Sequence, residues 1–580
     1  MEVTKETFKE VLPSIYELID QADFIAVDAE MTGLRRSDCR YNELDSLEER
    51  YIKVRDSGRD FGLIQFGLTT FRYNKEKATY YHATFCFYLH GKDGQVLAFD
   101  NSSLRFLAYN GFNFNKLYKS GLPYLSLKEE EDEKASFLKQ PLEALAPSPV
   151  KVVEEGAKKF LKETEEKVNK FMSPDNNSEV LTISGSTLSG FFRKLLYNNI
   201  AAKYENILIR AVPNNSDRSV EIRKFSSQEA RTAFLEGERK RKLEEKVGFT
   251  HVIRRVLERS CPLVGHNMIL DILHLFHKTV RPLPDTLQQF KAEVRSTLPT
   301  IYDTKLISKD PPFCTDIPIT ALEKLYSSLC KNYNPPPLEV EPGAYMSHDI
   351  GEGGGGRAHD AGYDAFMTGV SFVTMVKKLD GGNWKEKCVI NSKHLALYAN
   401  KVNLMNSHDI PYINLVGSDV VPNRSRIFCV DCPASWTSSD VYGLFHMLKP
   451  VKLIWVSSLS LYVIPLDNLD IKACRQHLKT IIASCPPLVR VRLYGDTAKR
   501  KSQSSEDSGS VTGTETASPA RIQEYKRLKS VGSDQLSQMT LESPSMEESP
   551  AIPVYPGDGG KKLKGNGSQN SGVFNVPDDW

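Results

Sequence analysis

The sequence lacks the features that would direct a chain into or across a membrane. Its first residues, Met-Glu-Val-Thr-Lys-Glu, have neither the basic start nor the apolar core of a signal peptide. A transmembrane helix needs about 18 or more consecutive apolar residues, and no such run occurs in the 580 residues. We therefore expect a soluble intracellular protein with no membrane association.

The sequence also lacks a cysteine framework and a strong net charge. Its ten cysteines follow no disulfide pattern, and the pair Cys429 and Cys432 has no second pair at zinc-ribbon spacing. The net charge is only +2, so a nucleic-acid surface would require local clustering of basic residues. The balance of 40% hydrophobic and 26% charged residues excludes fibrous and collagen-like proteins.

The pattern of helical and strand signals divides the chain into five segments. Residues 1–140 and 240–420 alternate helix and strand signals and are predicted to be two parts of one α/β domain. Residues 150–235 look like a small inserted module. Residues 425–498 have the element order βαββαβ, which is typical of RNA-recognition motif (RRM) domains. Residues 499–580 are rich in Ser, Gly, Pro, Glu and Lys and are predicted to be a disordered tail.

Two segments of the chain are dense in charge. Lys128–Lys134, which is followed by Pro141, Pro147 and Pro149, is predicted to be an exposed connection rather than part of a core. The run Glu238–Lys242 is helix-prone and strongly basic. It fits either a solvated helix face or a surface that contacts an RNA backbone.

A pair of acids closes the first predicted strand of the α/β domain. Asp28 and Glu30 follow the apolar run Phe24–Val27, so they are predicted to end a buried strand and to point to one face of it. Two adjacent carboxylates repel each other unless a cation compensates their charge. Mg²⁺ or Mn²⁺ suits such hard oxygen ligands, whereas an isolated Asp-x-Glu also fits a strand that ends in a solvated acidic turn.

Two later stretches place further acids near the starts of predicted helices. Asn267 is predicted to be the N-cap of a helix over Met268–Phe276, and Asp271 lies about one turn inside it among apolar neighbours. We expect that buried acid to face a site. His359 and Asp364 flank the start of another predicted helix. Their separation places His359 on the entering loop, from which both side chains could converge.

The four acids and the histidine together indicate two-metal phosphodiester hydrolysis. Asp28, Glu30, Asp271 and Asp364 supply the oxygen ligands that two cations require in that reaction. His359 has the ordinary pKa of a general base near neutrality, whereas the acids would be occupied as ligands. The predicted catalytic and metal-binding residues are therefore these five, with His359 as the proton acceptor.

In order, spacing and element type, these motifs resemble those of the DEDDh 3′-to-5′ exonuclease family. Asp28-x-Glu30, the Asp271 motif Gly-His-Asn-x-x-x-Asp, and His359-x-x-x-x-Asp364 correspond to its three exonuclease motifs. Within that family the chain is similar to the poly(A)-specific ribonucleases. That similarity includes Asp303-Thr-Lys305 and Ala361-Gly-Tyr-Asp-Ala365, and it extends from residue 1 to about residue 500.

The resemblance implies a fold, an activity and a set of partners. The α/β domain would be an RNase H-like (DEDD) nuclease domain with a small inserted nucleic-acid-binding-type module, followed by the RRM-like α+β domain. The implied activity is 3′-to-5′ degradation of poly(A) tails of mRNA and other RNAs, with release of 5′-AMP. Two Mg²⁺ ions per site, replaceable by Mn²⁺, and a homodimer are implied as well.

The resemblance also assigns roles to residues outside the acidic cluster. Trp455 corresponds to a tryptophan that stacks on the mRNA 5′ cap, although a core tryptophan is the alternative. Met31 stands where an aromatic residue is commoner and would pack against the terminal base. Lys305 would contact a phosphate of the RNA, or else be an ordinary surface lysine. The Arg-x-x-x-His signature of the inserted module falls at Arg193–Tyr197, where the histidine is missing.

The sequence also fits two alternative functions and indicates a cellular location. One alternative is a trimmer of small-RNA precursors, although such relatives usually end in a membrane helix and this chain ends in a polar tail. The other alternative is a nonenzymatic RNA- or cap-binding scaffold, which would be expected to lack at least one of the four acids. Basic clusters at Lys499–Lys501 and Lys561–Lys564 favour entry to the nucleus, so we expect both nuclear and cytoplasmic protein.

Overall fold

The computed structural model describes most of the chain up to residue 494. The described residues are 1–92, 94–139, 149–185, 188–204, 206–212, 219–342, 359–381 and 385–494. The predicted disordered tail and both of its basic clusters lie outside them. The chain divides into two compact units between Pro422 and Asn423. No helix among the described residues is both long and apolar enough to cross a membrane.

Among the described residues of the first unit, ten strands form one mixed sheet, and three strands of the inserted module form a second sheet. The strands are β1 (Glu2–Val3), β2 (Phe24–Met31), β3 (Leu63–Asn74), β4 (Thr79–His90), β5 (Leu122–Pro123), β6 (Val180–Ile183), β7 (Ile207–Ala211), β8 (Val220–Lys224), β9 (Leu263–Gly265), β10 (Ile301–Asp303), β11 (Leu338–Val340), β12 (Lys401–Asn403) and β13 (Tyr412–Asn414).

The first unit also contains sixteen α-helices among its described residues. They are α1 (Lys5–Gln21), α2 (Leu47–Asp60), α3 (Asn101–Tyr109), α4 (Phe114–Ser120), α5 (Leu127–Lys139), α6 (Glu155–Met172), α7 (Gly190–Leu195), α8 (Ala201–Lys203), α9 (Gln228–Val247), α10 (Thr250–Arg259), α11 (Ile269–Leu275), α12 (Leu287–Thr297), α13 (Thr304–Ile307), α14 (Phe313–Asp316), α15 (Leu322–Tyr333) and α16 (Ala361–Asp380).

Strand β2 lies in the middle of the large sheet. The strand order is β1-β4-β3-β2-β9-β10-β12-β13, with β5 and β11 also paired to β4. β2 is antiparallel to β3 and parallel to β9, and β9 is parallel to β10. The ends of β2, β9 and β10 therefore meet at one edge of the sheet, where ligands commonly bind in α/β folds.

The alternation of side chains along β2 separates two hydrophobic cores. Ile25 and Val27 pack on one face of the sheet with residues of α1, α10 and α11. Phe24 and Ala26 pack on the other face, where the Phe24 ring meets the Phe372 ring of α16 at a centroid distance of 5.1 Å. Because this alternation continues to the end of the strand, Asp28 and Glu30 share the face that α16 covers.

A glycine allows α16 to begin directly against the sheet. Gly67 of β3 is the register partner of Asp28, and a Cβ atom there would lie 1.7 Å from the Ala361 carbonyl oxygen. Only a residue without a side chain fits such an approach. The start of α16, which carries Asp364 in its first turn, is thereby held beside the end of β2.

The inserted module has its own small core. Its sheet has the order β6-β8-β7 and packs on α6 through buried side chains that include Phe171, Val220 and Ile222. Helices α6, α7 and α8 and strands β6, β7 and β8 make up this module. Arg193 lies in α7, and Tyr197 lies in the π-helical turn Leu196–Ile200 that follows it.

The two charge-dense segments of the first unit are both helical. Residues Lys128–Lys134 lie within α5 and are mostly exposed, as predicted. Glu130 is the exception, because it is buried and pairs with Lys134 and Arg254. The run Glu238–Lys242 lies in α9. There Arg241 pairs with Glu238 and Glu245, as expected for a solvated helix face.

The second unit has the element order βαββαβ that its sequence predicts. Its four strands form an antiparallel sheet in the order β15-β16-β14-β17, and its helices contribute to a shared core with Phe428, Val463 and Phe445. The elements are β14 (Phe428–Asp431), α17 (Ser438–Leu444), β15 (Val451–Ser457), β16 (Ser460–Pro465), α18 (Ile471–Ser484) and β17 (Arg490–Leu493).

Candidate active site

The end of β2 supplies the first two acids of the site. Asp28 is half-buried, and Glu30 is buried with 3% of its surface exposed. They pair in register with Gly67 and Gln65 of β3. The apolar residues that precede the two acids in β2 fill both hydrophobic cores. The acids therefore lie at the edge of the packed sheet.

Helix α11 brings the third acid to the same place. Asp271 lies in its first turn, and the backbone N–H of Ala29 donates to the Asp271 carboxylate. That contact holds Asp271 against β2 between Asp28 and Glu30. The side chain thus faces the other acids rather than the apolar neighbours on its own helix, as its sequence context predicts.

The fourth acid and the histidine come from the start of α16. His359 lies on the loop before this helix, as predicted, and has a left-handed φ of 71°. Its backbone N–H donates to Asp364 Oδ2 at 3.1 Å. One ligand atom each from Glu30, His359 and Asp364 lies within 4.8 Å of the others. The structure therefore brings all five predicted residues to one site.

The acids raise one another's pKa values because they are crowded and shielded from water. Burial first, and then the charges of Asp364 and Asp271, raise the pKa of Asp28 and of Glu30 well above the ordinary values. Burial raises the pKa of Asp271 to about 7 and that of Asp364 to about 8. Ionising all four acids at neutral pH thus requires a compensating positive charge.

These residues fit a divalent cation. Asp364 Oδ1 is buried and has no hydrogen-bond partner among the described residues, although its other oxygen accepts the His359 N–H. A buried carboxylate oxygen without a partner is costly unless it binds a cation. Carboxylate oxygens are the ligands that Mg²⁺ and Mn²⁺ prefer, so the cluster has both the ligand chemistry and an open coordinating atom.

The environment of His359 keeps its imidazole neutral. Burial lowers the pKa of His359, and the charge of Glu323 partly opposes that effect. The Phe106 ring lies edge-to-face against the imidazole at a centroid distance of 4.4 Å. A neutral imidazole beside the acidic cluster is in the correct protonation state to accept a proton.

The structure gives Met31 a different place from the predicted one. Its side chain is 2% exposed and belongs to the hydrophobic core that also contains Ile25 and Val27. The prediction that Met31 packs against the terminal base is therefore not supported. Met31 continues the alternation of Ile25, Val27 and Ala29 along β2, so its side chain lies on the face opposite the one that carries Asp28 and Glu30.

Lys305 and Trp455 are both partly buried and engaged with protein atoms. Lys305 Nζ donates to the Thr320 carbonyl oxygen at 2.9 Å, near the ring of His266. Trp455, in the second unit, packs against that unit's core and donates from Nε1 to Ser438 Oγ at 3.1 Å. Neither contact assigns the side chain to RNA or cap binding.

Two residues that the sequence analysis did not single out orient the start of α16. Asp360 is its N-cap and accepts the Tyr363 N–H at 3.2 Å. Gln65 accepts the Ala361 N–H at 3.0 Å and donates to Asp360 at 3.4 Å. An Asp before a predicted helix is a recognisable N-cap signal. Gln65 and Ala361, by contrast, are 296 residues apart in the sequence, so no local pattern predicts their contact.

The sequence of the first unit matches a known family over most of its length. The CAF1 family ribonuclease domain covers residues 3–372. The chain belongs to the CAF1 ribonuclease family. The mixed α/β unit is accordingly a CAF1-type nuclease fold, and the predicted nuclease class is confirmed.

Individual proteins are similar to this chain over a longer stretch. The poly(A)-specific ribonuclease PARN of Danio rerio is 35% identical over 488 residues, which cover 80% of this chain and 73% of the relative. A pre-piRNA 3′-exonuclease trimmer of Bombyx mori is 30% identical over 455 residues, covering 74% of this chain and 82% of the relative. The solved structure of S. pombe Pop2p, in its Mg²⁺- and Mn²⁺-bound form, has a TM-score of 0.31 at 14% identity, and covers 67% of this chain and 94% of that one.

Proposed function

We propose that the protein is a poly(A)-specific 3′-to-5′ exoribonuclease that shortens the tails of mRNA and other RNAs and releases 5′-AMP. The observation that carries this function is the group of four acids, Asp28, Glu30, Asp271 and Asp364, beside His359, with Glu30 and Asp364 buried. Membership of the CAF1 ribonuclease family and the similarity to poly(A)-specific ribonucleases support it. The retention of all four acids speaks against a nonenzymatic scaffold.

The four acids are proposed to hold two Mg²⁺ ions, which Mn²⁺ can replace. When bound, the ions neutralise the scissile phosphate, lower the pKa of the attacking water and stabilise the leaving 3′ oxygen. The open Oδ1 of Asp364 and the raised pKa values of the acids support this assignment. Asp28 and Glu30, fixed on a strand, and Asp271, fixed by the Ala29 N–H, keep the ligand positions rigid.

His359 is proposed to remove the proton from the attacking water. Its ring lies within reach of Glu30 and Asp364, and Phe106 restricts its orientation. Its partial burial lowers the pKa and so favours the neutral imidazole that accepts the proton. Lys305 is proposed to contact an RNA phosphate. To do so, its ammonium group would leave the Thr320 carbonyl oxygen and bind the phosphate instead.

The remaining parts of the chain are proposed to recognise other features of the RNA. Residues 425–498 would form an RRM-like domain in which Trp455 stacks on the 5′ cap, and residues 150–235 a separate inserted module. The nuclease domain would comprise residues 1–140 and 240–420. We also propose a homodimer that works in the nucleus and the cytoplasm.

Hydrolysis of a defined RNA tail tests the function directly. Purified protein with Mg²⁺ and a capped RNA that ends in adenosines is expected to release 5′-AMP. A matched RNA with a non-adenosine tail should be degraded more slowly, and Asp28→Ala should abolish AMP release. A small-RNA precursor trimmer would instead process both tails equally.

The control variant for this assay is Asp175→Asn, which changes an exposed carboxylate of the inserted module. It should leave AMP release unchanged. If Asp28→Ala retained the activity of the unaltered protein, the site assignment would be wrong. If the unaltered protein released no AMP at any Mg²⁺ concentration, the proposed activity would be wrong.

A further inference from the structure

The carboxylate of Asp303 is completely buried at the end of β10, outside the group of acids proposed to hold metal. It is 0% exposed and accepts four backbone N–H groups. Oδ1 accepts from Asn267 at 2.8 Å and from Lys305 at 2.9 Å. Oδ2 accepts from Met268 at 3.3 Å and from Asn403 at 2.9 Å. This one side chain therefore joins β10 to the turn after β9 and to β12.

The turn that Asp303 holds has an unusual backbone conformation. Asn267 has a left-handed φ of 60°, a region that few residues other than glycine adopt and that asparagine enters more readily than most. A second contact supports the same residue, because Asn403 Nδ2 donates to Asn267 Oδ1 at 2.8 Å. The carboxylate and the amide together act as a clamp on this turn.

The clamped turn leads straight into the helix of Asp271. Asp271 lies three positions beyond Met268, whose N–H is one of the four donors. Less than one helical turn therefore separates the clamp from the acid that accepts the Ala29 N–H. A shift of the turn would move the Asp271 carboxylate relative to Asp28 and Glu30.

We propose that Asp303 is a positioning residue that presets the metal cluster by clamping the turn before Asp271. The proposal rests on the proposed function of the acidic site, but it concerns the geometry of the ligands rather than the reaction. Groups that orient metal ligands without touching the metal commonly affect metal affinity as strongly as they affect activity. Asp303 reaches the cluster through backbone N–H groups, so its effect depends on having two carboxylate oxygens.

The test is the substitution Asp303→Asn in the full chain, with Mn²⁺ alone as the probe. The amide preserves the shape of the side chain but places an NH₂ group against two of the four N–H donors. We expect Mn²⁺ affinity, measured by the electron paramagnetic resonance signal of free Mn²⁺, to fall about tenfold or more. In the RNA assay kcat should fall, while KM for RNA should stay within about twofold.

The matched control is Asp23→Asn at the opposite end of β2. Asp23 Oδ2 also accepts a backbone N–H, that of Tyr73 at 2.6 Å, but it lies in the chain before the apolar residues that precede Asp28. This variant should lower the melting temperature and leave Mn²⁺ affinity unchanged. If Asp303→Asn also lost only thermal stability, with Mn²⁺ affinity intact, the positioning role would be overturned.

A milder variant decides the question if Asp303→Asn does not fold. Asn403→Ala removes the donor to Asn267 but keeps the backbone N–H that Asp303 accepts. A smaller decrease of Mn²⁺ affinity is expected, and an unchanged affinity would overturn the proposal. Failure of the proposed function gives a different result, because the unaltered protein would then bind Mn²⁺ without releasing AMP.

Discussion

Asp364 combines burial, negative charge and an open oxygen in one side chain. It is 7% exposed, its Oδ2 accepts the His359 N–H, and its Oδ1 has no partner among the described residues. Hydrogen bonding at one oxygen does not offset the cost of shielding the charge from water. The side chain therefore destabilises the metal-free fold and favours metal binding, a combination that is common at functional sites.

The raised pKa of Asp364 predicts how stability depends on pH. Its folded pKa of about 8 lies above the ordinary value of 3.8, so the unfolded chain loses this proton first as the pH rises. The stability of the metal-free protein should therefore fall between about pH 4 and pH 8, by an amount on the order of a few kcal/mol. Urea unfolding in the presence of EDTA, at about pH 5, 6.5 and 8, measures the change in unfolding free energy.

The variant Asp364→Asn isolates this contribution. It should flatten the decrease of unfolding free energy with pH, whereas Asp175→Asn on the inserted module should follow the unaltered protein. Mg²⁺ should raise the melting temperature more at pH 8 than at pH 5, because metal binding displaces protons from the acids. A stability that rises with pH in EDTA would contradict the pKa assignment.

At the scale of elements, the site depends on the contact between β3 and the start of α16. Gly67 permits the Ala361 carbonyl to approach, and Gln65, two positions earlier, accepts the Ala361 N–H. Both residues lie on one face of the same strand. Strand β3 therefore holds the helix that presents Asp364, although it contributes no acid itself.

Gly67→Ala tests this contact. The added Cβ would overlap the Ala361 carbonyl oxygen, so α16 must move away from β2. We expect a loss of unfolding free energy of about 1–3 kcal/mol and a decrease of kcat through displacement of Asp364. Gly237→Ala is the matched control, because it lies in α9 with open space around it and should be neutral or slightly stabilising. Equal behaviour of the two variants would contradict the proposed contact.

Sequence patterns predicted the secondary-structure elements that local sequence determines. The apolar run before Asp28 predicted β2, which the structure places at Phe24–Met31. The N-cap role of Asn267 was predicted wrongly, since α11 begins at Ile269 with Met268 as its N-cap. The Asn267 N–H donates to the Asp303 carboxylate, and Asn267 has a left-handed φ. Because the two residues are far apart in the sequence, no local pattern predicts this contact.

At the scale of the whole molecule, the site is assembled from segments far apart in the chain. Asp28, Asp271 and Asp364 were predicted because each follows a strand or opens a helix, and such ends converge at a sheet edge. The packing of Met31 into the core follows from the same strand alternation, because Ile25, Val27, Ala29 and Met31 share one face of β2. The base-packing role came from the family resemblance alone, and the alternation in the sequence already contradicted it.

The division of the chain between Pro422 and Asn423 predicts that two functions separate. All five proposed catalytic residues belong to the first unit, whereas Trp455 belongs to the second. Substituting Trp455 should therefore alter cap binding without altering hydrolysis of uncapped RNA. We expect Trp455→Leu in the full chain to weaken cap-analogue binding about tenfold, since loss of one stacked base costs about 1–3 kcal/mol.

The measurement is calorimetric titration of a cap analogue, together with AMP release from uncapped, A-tailed RNA. Tyr442→Leu is the matched control, because Tyr442 is another partly exposed aromatic residue of the second unit. It should change neither quantity. Trp455 already packs on the core and bonds to Ser438, so the melting temperature must be measured as well. If the substitution destabilises the second unit but leaves cap affinity unchanged, Trp455 has a packing role alone. Removing a side chain that stacks on the cap would weaken cap binding.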